Sequence, residues 1–74
     1  MIRNEQERQR MGERIATLRK SKGYTQAELA EMTGLQRSHI VRLEQGRYGA
    51  TIDVLSTIAD ALGYRIDFIE TQAQ

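Results

Sequence analysis

Two segments with helical spacing, QAELAEMT at residues 26–33 and RSHIVRLEQ at residues 37–45, stand only three residues apart in this chain. A connection this short holds two helices in one local arrangement, and Gly34 within it is free to take the positive φ that a tight turn requires. The second segment has two sides. Ile40 and Leu43, with Leu35 just before them, form an edge suited to burial, while Arg37, Ser38, Val41 and Arg42 fall mostly on the opposite side. On a plain surface helix those polar residues are merely solvated; on a helix that reads a partner they are the contacts.

The rest of the chain has few residues with which to enclose this pair. Its 74 residues make one small domain, and domains near this size bury only about 60% of the surface their unfolded chains expose. Burial against a second copy is one route to added stability. The absence of cysteine excludes disulfides, thiolate nucleophiles and thiolate metal sites. His39 is the only histidine, so a histidine-based metal cluster is excluded as well, and no cofactor is expected. No apolar run approaches the roughly 20 residues that span a bilayer, and the opening MIRNEQERQR lacks the hydrophobic centre of a signal peptide. A cytoplasmic protein without a membrane partner is expected. The net charge of +1 hides an asymmetry: residues 1–47 carry ten Lys/Arg against six Asp/Glu, and residues 48–74 carry one against four. A basic half and an acidic half suit a chain that meets a polyanion on one face and protein on another.

Glycines punctuate the chain, which has no proline. Gly23, Gly34, Gly46, Gly49 and Gly63 each follow or interrupt a segment of helical period. The spacing predicts a first helix over residues 4–22, with Met11, Ile15 and Leu18 as its apolar stripe. Its first two turns have no apolar partner and are open to fraying. Its closing Arg19, Lys20 and Lys22 suit the negative end of the helix dipole. Thr25-Gln26-Ala27-Glu28 has the form of a capping box; it opens a second helix that carries Leu29 and Met32 inward, with Ala30 allowing close approach. A later helix is expected over residues 52–62, N-capped by Thr51, acidic at Asp53, and buried at Leu55, Ile58, Ala59 and Leu62.

After Gly63 the period changes. Tyr64-Arg65-Ile66-Asp67-Phe68-Ile69-Glu70 alternates apolar and polar over most of its length, which predicts a short strand with Ile66 and Phe68 on one face. A lone strand leaves its backbone groups unpaired. It therefore pairs with the same segment of a second copy, or else the segment is a short fifth helix.

Residues 26–33, the Gly34 turn and residues 37–45 compose a helix-turn-helix, whose second helix can enter the major groove while the first lies across the phosphate backbone. That task requires donors and acceptors aimed at base edges, an apolar back, and cations or free N–H groups on the flanks. The run TQAELAEMTGLQRSHIVRLEQGR, with the later TIDVLSTIADALG, resembles the Cro and phage-repressor type of helix-turn-helix domain, the XRE family. The resemblance covers residues 12–63, leaving a polar extension at 1–11 and a tail at 64–74. It implies an all-α, lambda-repressor-like fold of four helices, here with a short C-terminal β-strand or a fifth helix. It also implies a homodimeric, sequence-specific repressor of double-stranded DNA.

Residue by residue, the resemblance implies that Gln26 donates to a phosphate and that Arg37, Ser38 and Arg42 face base edges. Arg47 and Tyr48 would lie against the DNA backbone, and Arg19 and Glu44 would form an ion pair joining the first helix to the third. Gln36 stands where the family commonly has a Ser or Thr cap, and is a weaker one. His39 reads as a surface or phosphate-facing residue, Val41 as one able to touch a thymine methyl, and Arg8, Arg10 and Arg14 as a solvated flank. The tail resembles the ALGxxIxF ending of small antitoxin members of the family. That ending implies a dimer contact through Ile66 and Phe68 and admits a toxin as a protein partner. A protein-interaction module that keeps the fold without binding DNA is the competing class, and Arg37 and Arg42 on the free face argue against it. An enzyme is the third class, and it finds no constellation to support it.

Overall fold

The structure, a computed structural model, describes residues 3–72. It consists of α1 (Glu5–Ser21), α2 (Gln26–Thr33), α3 (Arg37–Glu44) and α4 (Ile52–Leu62). Residues 1, 2, 73 and 74, which fall in the extension and the tail, lie outside the described residues.

Local chemistry sets most of the helix ends. The Asn4 side chain accepts from the Glu7 backbone N–H at 3.1 Å. Thr25 accepts from the Glu28 N–H at 3.0 Å while the Glu28 carboxylate accepts from the Thr25 N–H at 2.8 Å, closing the capping box. Thr51 accepts from the Val54 N–H at 3.2 Å. Only α3 starts without a side-chain cap, at Gln36. α2 and α4 stop at Gly34 and Gly63, whose φ values of 76° and 82° are left-handed and strain any residue with a Cβ.

Every helix contributes to the core: Ile15 from α1, Leu29 and Ala30 from α2, Ile40 and Leu43 from α3, Ile58 and Leu62 from α4. Each fully buried Leu or Ile contributes about 1.5–3 kcal/mol. Met11, Leu18, Leu35, Tyr48, Val54 and Leu55 pack around this centre. α1 and α3 approach closely at Gly12, where an added Cβ would collide with the Leu43 carbonyl oxygen and sit 2.9 Å from that of Glu44. The two backbones touch there with no side chain between them.

Three expectations are corrected. Met32 is 47% exposed, not inward. On a helix of about 3.6 residues per turn the buried side of α2 is set by Leu29, Ala30 and Thr33, and Met32 falls beyond its edge. The first turns of α1 are helical from Glu5, held by the Asn4 cap and by an Arg10–Glu7 ion pair at 2.7 Å. The hydrogen bond from Arg10 keeps the Glu7 carboxyl below its usual pKa.

The third correction concerns the tail. Residues 64–71 form neither a strand nor a fifth helix, and there is no β-strand among the described residues, so the antitoxin-like ending is not supported. An extended chain has the same two-residue alternation as a strand, but a ladder needs a neighbouring backbone that this chain does not offer. Residues 64–67 and Ile69 border a groove of ≈ 290 Å³ between α1 and α4, with Tyr64 and Ile66 still partly exposed, while Phe68 stands fully in solvent.

Candidate nucleic-acid interface

The burial of α3 divides it as its sequence does. Ile40 and Leu43 are enclosed, whereas Arg37, Ser38 and Arg42 are exposed; His39 and Val41 are half-buried between them. Among the described residues neither Arg37 nor Arg42 pairs with a carboxylate. Their charges are therefore available on the outer face.

Beneath that face lies a network that orients α3. Arg19 donates from Nε to Glu44 Oε2 at 2.7 Å and from Nη2 to Oε1 at 3.1 Å, a bidentate pairing. Its Nη1 donates to the Tyr24 carbonyl at 2.8 Å, and Gln26 Nε2 donates to Glu44 Oε1 at 3.0 Å. The paired side chains are only 9% and 7% exposed. One carboxylate thus ties α1, α2 and α3 together. Gln26 is aimed from the first turn of α2 with one amide N–H engaged and a second free.

The loop after α3 is fixed by aromatic contacts. The His39 ring meets Tyr48 edge-on at 4.6 Å, with the planes at 85°, and the Arg42 guanidinium carbon lies 5.9 Å from the Tyr48 ring centre. Such contacts contribute about 0.5–1.5 kcal/mol each. They gather His39, Arg42 and Tyr48 into one cluster. His39 Nε2 is buried without a hydrogen-bond partner. Arg47 donates to the Gln45 side chain at 2.9 Å.

Arg37 and Gln26 line an open cleft of ≈ 740 Å³ between the end of α1 and the start of α2, together with Lys20. The basic end of α1 is visible in the sequence, but that Lys20 and Arg37 border the same cleft is a tertiary fact that spacing does not disclose. Ile66 and Phe68 lie apart from this surface, on the tail. No group of His, Cys, Asp or Glu that could hold a metal occurs among the described residues, and no described helix is long and apolar enough to cross a membrane.

α2, the left-handed turn at Gly34 and α3 with its polar face outward therefore define a helix-turn-helix domain. The chain belongs to the helix-turn-helix family HTH_3, whose profile matches residues 15–69. It is 37% identical over 59 residues to the immunity repressor protein of Bacillus phage phi105, covering 80% of this chain but only 41% of that repressor. Its fold matches the clp gene regulator ClgR of C. glutamicum with a TM-score of 0.78 at 30% identity, over 80% of this chain and 76% of that one. It also matches the restriction-modification controller protein C.AhdI of Aeromonas hydrophila with a TM-score of 0.77 at 30% identity, over 80% and 89%. The chain is accordingly a helix-turn-helix domain of this family, similar to proteins described as a phage repressor and as gene regulators, and it spans less than half the length of the phage repressor.

Proposed function

We propose that this domain is a sequence-specific DNA-binding regulator, a homodimeric repressor that places α3 in the major groove of double-stranded DNA. The outward face of α3 carries the reading: Arg37, Ser38 and Arg42 are exposed, with both arginines unpaired, over a back made of Ile40 and Leu43. Arg37, Ser38 and Arg42 are assigned to base edges. Gln26 through its free amide N–H, His39, Arg47 and Tyr48 are assigned to the phosphate backbone. The relation to a phage immunity repressor supports repression as the outcome of binding. In a dimer the two α3 helices would meet successive major grooves about 34 Å apart, so the operator is an inverted repeat. Affinity falls steeply with salt as phosphate counterions are released. Phe68 and Ile69, fully and largely exposed, support a contact between copies through the tail, with Ile66 beside them.

Selection of the protein on a random duplex library tests this directly. Enrichment of an inverted repeat with half-sites one helical turn apart is the expected result; salt-labile binding with no enriched sequence would refute sequence reading. Arg37→Ala should relax preference at one base pair of each half-site, losing about 1–3 kcal/mol of discrimination. An unchanged preference profile would remove Arg37 from the reading set. Phe68→Glu should convert a dimer into monomers in sedimentation, and a dimer that persists places the interface elsewhere.

A further inference from the structure

Four glycines, at 23, 34, 46 and 63, take positive φ; Gly12 and Gly49 do not. Backbone conformation therefore gives no reason for glycine at 12 or 49; at 12 backbone crowding does, and at 49 the close neighbour is the movable end of the Arg8 side chain. A Cβ at Gly12 would strike the Leu43 carbonyl, and one at Gly49 would lie 2.8 Å from Arg8 Nη2 and 3.0 Å from Arg8 Nε. Between them, a Cβ at Gly46 would lie 2.8 Å from the Gln9 Cα. Arg8, Gln9 and Gly12 share one side of α1, since positions i, i+1 and i+4 fall within about a third of a turn. That side of α1 is a rail against which the end of α3 and the following loop are seated. All three residues precede the stretch that matches the family profile, which begins at residue 15.

We infer that residues 8–12 of α1 position the loop bearing Arg47 and Tyr48, and that Arg8 and Gly49 are the matched pair through which this positioning acts. The inference rests on the reading of α3 and its loop as the DNA-contacting surface. Arg8 is half-buried and has no carboxylate within ion-pair distance among the described residues; its neighbour Glu7 is engaged by Arg10. Its guanidinium is therefore held by no charge partner and lies against the loop backbone at Gly49. It borders a cavity of ≈ 260 Å³ that Tyr48, Gly49 and Ala50 close from the loop side. A methyl group at 49 displaces the guanidinium, and truncation at 8 removes it. Both changes break the same contact, so their effects should not add.

The test is a cycle of Arg8→Ala, Gly49→Ala and the double variant. In the free protein, each single change should speed amide exchange across residues 46–50 by about five-fold, with the double variant no faster than Arg8→Ala. On the selected duplex, affinity should fall by a similar factor in both single variants and no further in the double. Arg8→Lys keeps the charge but loses the planar fork, and should restore neither property. Unchanged exchange at 46–50 in the single variants would overturn the inference, as would additive losses in the double. Full recovery of affinity by Arg8→Lys, with exchange unaltered throughout, would make Arg8 a simple phosphate attractor and also overturn it. If the unaltered protein binds no duplex, the DNA reading fails, and the exchange cycle alone decides whether Arg8 supports the loop.

Discussion

Replacing Glu44 with alanine is expected to bring the domain to the edge of unfolding at room temperature. The carboxylate neutralises a guanidinium that is almost wholly buried and accepts a third hydrogen bond from Gln26. Removing it strands the Arg19 charge in the interior, a loss of about 3–5 kcal/mol, against a total stability of about 5–15 kcal/mol for domains in general. Urea unfolding monitored by circular dichroism reads the loss directly. The pair need not be a net source of stability. Replacing Arg19 with Met and Glu44 with Leu together should recover most of what Glu44→Ala removes, because no unpaired charge remains. Recovery will be incomplete, since the Tyr24 carbonyl loses the donor that Arg19 supplies. A Glu44→Ala variant as stable as the parent would mean that the guanidinium escapes to water and that the three helices are not tied at this point.

Gly12→Ala is the second large effect, and its sign is diagnostic. In an exposed helix interior, alanine is more favourable than glycine by about 1 kcal/mol. At position 12 the added methyl meets the carbonyl oxygens of Leu43 and Glu44. These are backbone atoms of α3 that cannot rotate away, so α1 and α3 must part. The expected outcome is a net loss of about 3 kcal/mol, the upper end of overpacking costs, read as a lower denaturant midpoint with an unchanged slope. A gain in stability would show that the helices have room to separate without disturbing Ile15 and Leu43.

Helix ends and the outward side of α3 were legible in the sequence because they rest on chemistry between neighbouring residues. Thr25 with Glu28, Thr51 with Val54, and the left-handed Gly34 and Gly63 all lie within a turn of the ends they define. The polar side of α3 follows from a period that eight residues suffice to establish. What depended on distant contacts was not legible. Met32 looks apolar enough to be core, but which side of α2 faces α3 and α4 is decided by packing. The tail alternates as a strand does, yet alternation does not supply the neighbouring backbone a ladder needs, and here the segment runs along a groove that Arg65 and Asp67 border as well as Tyr64 and Ile66. The first turns of α1 lack apolar residues and so looked open to fraying, when their partner is the backbone around Gly46 and Gly49. Contacts made by backbone leave no hydrophobic trace, and the glycines opposite them are the sole sign.

α3 is held very unevenly along its length. Its C-terminal end is gripped by Gly12, by the Arg19–Glu44 pair and by the stop at Gly46, whereas its start at Gln36 has no side-chain cap. Mechanically its root beside the loop is clamped by backbone and ion-pair contacts, while its tip, the turn that bears Arg37 and Ser38, is held by the packing of Leu35 and Ile40 without a side-chain cap. An element held in this way yields more at its uncapped tip than at its root. Contacts near the root, Arg42 and Tyr48 among them, would then set where the protein sits on a duplex, while the tip adjusts to the bases it finds. If α3 reads bases as proposed, variation among half-sites would be tolerated more readily at the base pairs facing Arg37 and Ser38 than at those facing Arg42.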